Sequence, residues 1–105
     1  MGKFDFSDIY SSFPEAIAAM PSKFNSHELI LEIARKNQKE YIDALFAYKD
    51  NPNPFMHVHR QLSSHIKKIA NDNKLKNCGD DTSSKDIFGK KNVCRAWKKI
   101  HHSVV

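Results

Sequence analysis

Nine side chains in the second half of the chain have the chemistry to hold phosphate. His57, Arg60, Lys67 and Lys68 fall in one stretch; Lys91, Arg95, Lys98, Lys99 and His102 fall in another. At 100° per residue, each group lies on the side of a helix opposite the apolar residues. Neither side carries an Asp or Glu. A charge run is often only a solvated face, but mixed solvated faces normally include acids. An acid-free basic face attracts polyanions, and phosphate contacts supply most of the sequence-independent affinity for nucleic acid. The chain has fourteen Lys and three Arg. Lys makes point-charge contacts where Arg makes forked ones, so attraction to a backbone is expected more than base reading. DNA or RNA is therefore the expected partner. The alternative is an adaptor or inhibitor that sets the same surface against an acidic protein.

Other chemistries fit the residues less well. Six His and two Cys are available as ligands. Structural zinc usually takes close pairs such as C-x2-C, whereas Cys78 and Cys94 stand apart. On a helix, His57 and His59 point to different sides, so the H-x-H they form cannot chelate. His59 and His65 flank an apolar stripe and read as histidines at the edge of the core. Cys94 has His101 two turns away, too far to activate a thiol directly. No Gly-rich phosphate loop, G-x-S-x-G or H-E-x-x-H occurs. Asp80 and Asp81 sit in a polar run that reads as solvation. The expectation is a non-enzymatic protein with no metal and no cofactor.

The charge is unevenly placed. The chain carries +5 overall, yet residues 1–50 hold six basic and eight acidic groups, and residues 51–105 hold eleven and four. The 105 residues suit one domain, taken as 1–105. Leu, Ile, Val and Phe number 25, above the roughly 20% below which a chain fails to build a core. No apolar run approaches the ~20 residues that span a bilayer, and no membrane partner is expected. The start has no secretory pattern, and two cysteines are too few for a disulfide scaffold. A cytoplasmic protein with reduced thiols is the expectation.

The elements that must carry these residues follow from caps, breaks and stripes. Residues 1–21 form a helical arm, with a start at Ser12-Phe13-Pro14-Glu15 and a stop at Pro21. Its Phe4, Phe6, Ile9 and Phe13 must pack on the body or on another chain, which would make the arm a route to oligomers. Phe6 and Tyr10 are its candidates for exposed contacts. A second start, Asn25-Ser26-His27-Glu28, has the capping-box pattern. The stripe beyond it runs without Pro or Gly to Asp50, as one central helix or as two broken near Lys36-Asn37-Gln38. The broken version invites a helix-turn-helix reading, although the turn lacks its usual Gly. Asp50-Asn51-Pro52-Asn53-Pro54 is a break. Pro54 opens a helix to about Ala70, with Phe55, Val58, Leu62, Ile66 and Ile69 on one stripe.

Residues 71–84 are polar and read as a loop. Ser83 or Ser84 caps a short turn that holds Ile87 and Phe88 and ends at Gly89. Asn92 caps a last helix to about His102, with Val93, Ala96, Trp97 and Ile100 as its apolar side. The expected class is all-α, a single compact domain of four to five helices. The alternative is a winged-helix variant with a short β hairpin in 71–90. The aromatics Phe24, Phe46, Tyr48, Phe55 and Trp97 fall on apolar stripes and are expected in the core rather than stacked on bases.

Overall fold

Asn25 and Glu28 set the first fixed point of the fold. The Glu28 backbone N–H donates to Asn25 Oδ1 and the Asn25 N–H donates to Glu28 Oε1, both at 2.9 Å. This reciprocal cap stabilises a helix start by about 1 kcal/mol, and it begins a helix where the sequence pattern put one. The computed structural model describes residues 4–72, 74–85, 89 and 91–100, with backbone alone at 80–84, 92 and 93. The elements are α1 (Ser7–Tyr10), α2 (Phe13–Ala19), β1 (Lys23–Asn25), α3 (Ser26–Lys36), α4 (Gln38–Ala47), α5 (Pro54–Ile69), β2 (Leu75–Lys85) and β3 (Lys91–Lys99).

The stripe from Ser26 onward is two helices, broken at Asn37. The Asn37 amide donates to the Ile33 carbonyl and to Ser12 Oγ, each at 2.9 Å. A side chain that serves a carbonyl in this way competes with the backbone ladder. Asn37 itself sits at φ −128°, ψ 50°, outside the helical region. One residue joins α3 to α4, too short for the three- or four-residue turn of a helix-turn-helix across this pair. The same Ser12 was expected to cap α2. Instead its hydroxyl donates to the Ile9 carbonyl at 2.7 Å and makes no cap.

α5 runs from Pro54 as the break at 50–54 requires. Asn53 Oδ1 accepts from the Met56 N–H, and Val58, Leu62 and Ile66 are fully buried. The helix then passes into β2 through a tight turn. The Leu75 N–H donates to the Ala70 carbonyl, and Lys74 adopts φ +54°. A non-glycine residue at that angle costs about 1–2 kcal/mol, which the surrounding ladder must hold in place.

The all-α expectation is corrected here: the fold is mixed, with a three-stranded antiparallel sheet in the order β1-β3-β2. The segment read as the last helix is β3, and Asn92 pairs with Ser84 in the ladder instead of capping. The hairpin alternative comes closer, but its second arm lies beyond 71–90. Residues 86–88, where Ile87 and Phe88 were expected in a turn, lie outside the described residues. Lys85 pairs with Lys91, and Gly89, between them in the sequence, has φ +82°.

All these elements share one core. Trp97 and Phe24, paired across β3 and β1, turn inward onto α3, and Leu75 is buried in the same core. Trp97 is 3% exposed, and its indole N–H donates to Ser26 Oγ at 3.1 Å. The Ser26 hydroxyl in turn donates to the Arg95 carbonyl at 3.3 Å. From the arm, Phe6, Ile9, Phe13 and Ile17 are all buried in the same core. The expectation of an exposed Phe6 is therefore wrong: the arm packs on its own body.

Three Tyr–His pairs fasten α5 to the arm and to α4. His65 stacks on Tyr10 with ring centroids 3.7 Å apart, His57 leans on Tyr48 at 4.2 Å, and the Tyr41 hydroxyl and His59 Nε2 share a hydrogen bond. Burial pushes the Tyr41 pKa up to about 12, so its hydroxyl stays protonated. Burial, with Lys68 nearby, holds the His65 pKa below its ordinary 6.5.

Two outcomes follow from this packing. Ser26→Ala and Trp97→Phe should each destabilise by about 1–3 kcal/mol, because each strands or removes a buried polar group. In denaturant titrations the double variant should fall short of the sum by about 1 kcal/mol, and strict additivity would show that the link carries no energy. His65 gives the pH dependence. The unfolded chain takes up its proton at higher pH than the folded one. The stability tied to neutral His65 is complete above 6.5 and is lost as pH drops below it. The melting temperature should fall on acidification from neutrality. His65→Phe, which keeps a ring against Tyr10, should flatten part of that fall, and identical profiles would acquit His65.

Candidate nucleic-acid interface

The two basic groups meet different fates because one lies on a helix and the other on a strand. On α5 the period of 3.6 holds. Arg60, Lys67 and Lys68 are exposed with Ser64 between them, and no acid joins them on that face. His57 is set apart, half-buried against Tyr48. On β3 the period is 2, so the group read as one face divides. Lys91, Arg95 and Lys99 alternate with Trp97 on the inward side, and Lys98 stands alone on the outward side. His102 lies outside the described residues.

Lys99 is a structural cation. Its ammonium donates to the carbonyls of Ala18, at 3.3 Å, and Met20. These are among the last carbonyls of α2, which lack helical partners, and a cation there also meets the negative end of the helix dipole. Arg95 is half-buried, with its guanidinium 5.9 Å from the Trp97 ring centroid. Lys91 is exposed at the far end of β3.

The register assembles a set of lysines that helical reasoning had no means of finding. Lys98 pairs with Lys23 on one side and with Lys76 on the other. The three form a row straight across the outer face of the sheet, all exposed. Lys85 stands opposite Lys91 further along the hairpin. Like charges directly opposite each other destabilise a sheet. The row overlooks an open groove of about 810 Å³, lined also by Asn25, Glu28, Cys78 and Ala96. Glu28 is the acid there, and its carboxylate is engaged in the α3 cap. No salt bridge reaches Lys23, Lys76 or Lys98 among the described residues; the ion pair seen is Lys36 with Glu32 at 3.6 Å.

A second surface is apolar. Ile42 is 61% and Phe46 62% exposed on α4, and Phe55 and Met56 are exposed at the start of α5. The core placement expected for Phe46 and Phe55 is thus corrected: both sit at the flank or the end of a helix, beyond the reach of α3. Both cysteines are free, Cys78 exposed and Cys94 half-buried. Among the described residues no three His, Cys, Asp or Glu side chains gather as metal ligands, and no helix is long and apolar enough to cross a membrane. A comparison with protein families, curated proteins and solved structures finds no match for this chain.

Lys98 and Lys99 are neighbours with opposite expected effects. Lys99→Gln should destabilise by about 1 kcal/mol through its lost carbonyl contacts. Lys98→Gln should leave the melting temperature unchanged or raise it, since it removes repulsion against Lys23 and Lys76. Equal losses in thermal melts would refute the division of β3 into two roles.

Proposed function

We propose that the protein binds nucleic acid through the exposed face of α5 and the adjoining β2–β3 hairpin. The observation that carries this reading is the acid-free stripe of Arg60, Ser64, Lys67 and Lys68, held on the helix that leads directly into the hairpin. Helix, strand, helices and hairpin, with the first strand paired to the last, is the order of a winged-helix domain. In that arrangement the helix before the hairpin enters a groove and the hairpin is the wing. α4, between α3 and α5, is an addition to the plan. The likeness is one of arrangement, and fold alone does not confer function; the charge of the site is what speaks for a polyanion.

The roles divide by chemistry. Arg60 has the forked geometry for a phosphate or a guanine edge. Lys67 and Lys68 supply point charges to the backbone at the C-terminal end of α5. Lys91, exposed on the hairpin, extends the contact along the wing, whereas Arg95 is held against Trp97 on the inward side. His57 is occupied by Tyr48 and Lys99 by α2, so neither belongs to the contact set. DNA is the polymer whose groove best suits a presented helix. An acidic protein partner is the competing reading. The exposed Ile42, Phe46, Phe55 and Met56 favour it; the aromatic arm, buried in the core, does not.

An electrophoretic shift at low salt tests the proposal. Wild-type protein should retard duplex DNA, and the log of affinity should fall steeply with the log of salt. Each phosphate contact contributes about −0.9 to that slope. Arg60→Gln, Lys67→Gln and Lys68→Gln together should flatten the slope by about 2–3 units, with the circular dichroism spectrum unchanged. All three residues point away from the buried stripe of α5. No retardation by wild type at low salt would end the nucleic-acid reading and leave the protein partner.

A further inference from the structure

The lysine row on the sheet is separate from the α5 face. α3 packs against α5 and also against β1 and β3, so it lies between the two surfaces. Lys23, Lys98 and Lys76 stand on three neighbouring strands at paired positions. Strands lie about 4.8 Å apart, so the three backbones span about 10 Å in a straight line. Register fixes this line, and a ligand need not order the chain to use it. Phe24 and Trp97 border the groove, yet they are only 4% and 3% exposed, so neither offers an open ring face for a base to stack on. The chemistry offered is thus a row of ammonium groups without aromatic contacts. It suits the phosphodiester backbone rather than unpaired bases. Glu28 is the one acid lining the groove among the described residues, so three ammonium groups face a single carboxylate, and a phosphate backbone laid across the row would supply the remaining charge.

Resting on the reading that α5 and the hairpin hold one nucleic-acid segment, we propose that the outer face of the sheet holds a second. One molecule would then bridge two duplexes, or two parts of one duplex brought together. The two surfaces belong to one folded body, so the second segment binds at a high effective concentration once the first is held.

A bridging assay decides it. A biotinylated duplex is fixed to beads, and a fluorescent duplex of unrelated sequence is offered with the full-length protein at low salt. Wild type should draw the fluorescent duplex onto the beads. Lys23→Gln, Lys76→Gln and Lys98→Gln combined should still retard a single duplex in the electrophoretic shift, yet capture about tenfold less of the second. The melting temperature of this variant should equal or exceed that of wild type, which separates lost contacts from lost folding. Wild type that retards DNA without bridging would overturn the proposal. So would a triple variant that bridges as well as wild type, because the link would then come from a different surface or from paired copies of the chain. Wild type that retards no DNA would fail the functional reading first, and the shift reports that outcome separately from the bead capture.

Discussion

The hydrogen bond from Trp97 to Ser26, passed on to the Arg95 carbonyl, is the interaction on which the fold depends. It joins residues 71 apart in the chain and ties the last strand to the first turn of α3. A buried indole N–H without a partner costs about 1–3 kcal/mol, so Trp97 can sit in the core only where Ser26 receives it. Ser26 is in turn held at the α3 start by the capping box of Asn25 and Glu28 around it. Once Trp97 is seated, Phe24 is its cross-strand neighbour, β1 is set against β3, and the hairpin closes on Leu75. The row of lysines and the anchoring of α2 by Lys99 both follow from that register.

What was legible in the sequence and what was not divides along this line. Local signals came through: the Asn25–Glu28 cap, the break at 50–54, and the stripe of Val58, Leu62 and Ile66 each describe a helix in its own residues. Asn37 came through only in part, since the break was visible as an option but its cause, a side-chain amide that reaches Ser12, is a tertiary contact. β3 did not come through. Val93, Ala96, Trp97 and Ile100 have helical spacing, and the alternation of a half-buried strand is hidden because Trp97 is flanked on the inward side by Arg95 and Lys99. Those two charges can lie there because one is satisfied by the carbonyls at the end of α2 and the other lies over the Trp97 ring. Neither arrangement can be read from nearby residues. The period of a short segment is ambiguous whenever the inward positions hold polar groups that find distant partners.

The site inherits the same division. The α5 half, Arg60, Lys67 and Lys68, needed only the helical period. The sheet half needed the register, and without it Lys23 and Lys76 have no claim to notice, since one follows the Pro21 break and the other sits in a polar run. The histidines show the converse. Their number suggested metal chemistry or a basic face, yet His57, His59 and His65 each take a tyrosine from a neighbouring element. They pack α5 against α4 and the arm, and the charge of the α5 face is left to Arg and Lys.

The lysine pairings are difficult to account for by folding. Lys23 with Lys98, Lys98 with Lys76, and Lys85 with Lys91 place like charges in register three times in a sheet of three strands. Opposite-charge pairs would contribute roughly 0.2–1 kcal/mol each, and like charges work against the sheet. The loss is borne by contacts elsewhere, chiefly the seating of Trp97 and the ladder between β2 and β3. A charge pattern that weakens the free protein and is relieved by a polyanion couples binding to stability: whatever binds the folded form alone shifts the equilibrium toward it. Neutralising such repulsion adds to that shift, so the lysines would be least favourable to the fold in the free protein and most favourable on a phosphate backbone. Screening by salt acts on both terms, weakening the repulsion within the sheet and the attraction to the ligand together. On the proposed reading, the free protein should therefore gain stability over the same range of ionic strength in which its affinity for a phosphate backbone falls, whatever the sequence of that backbone.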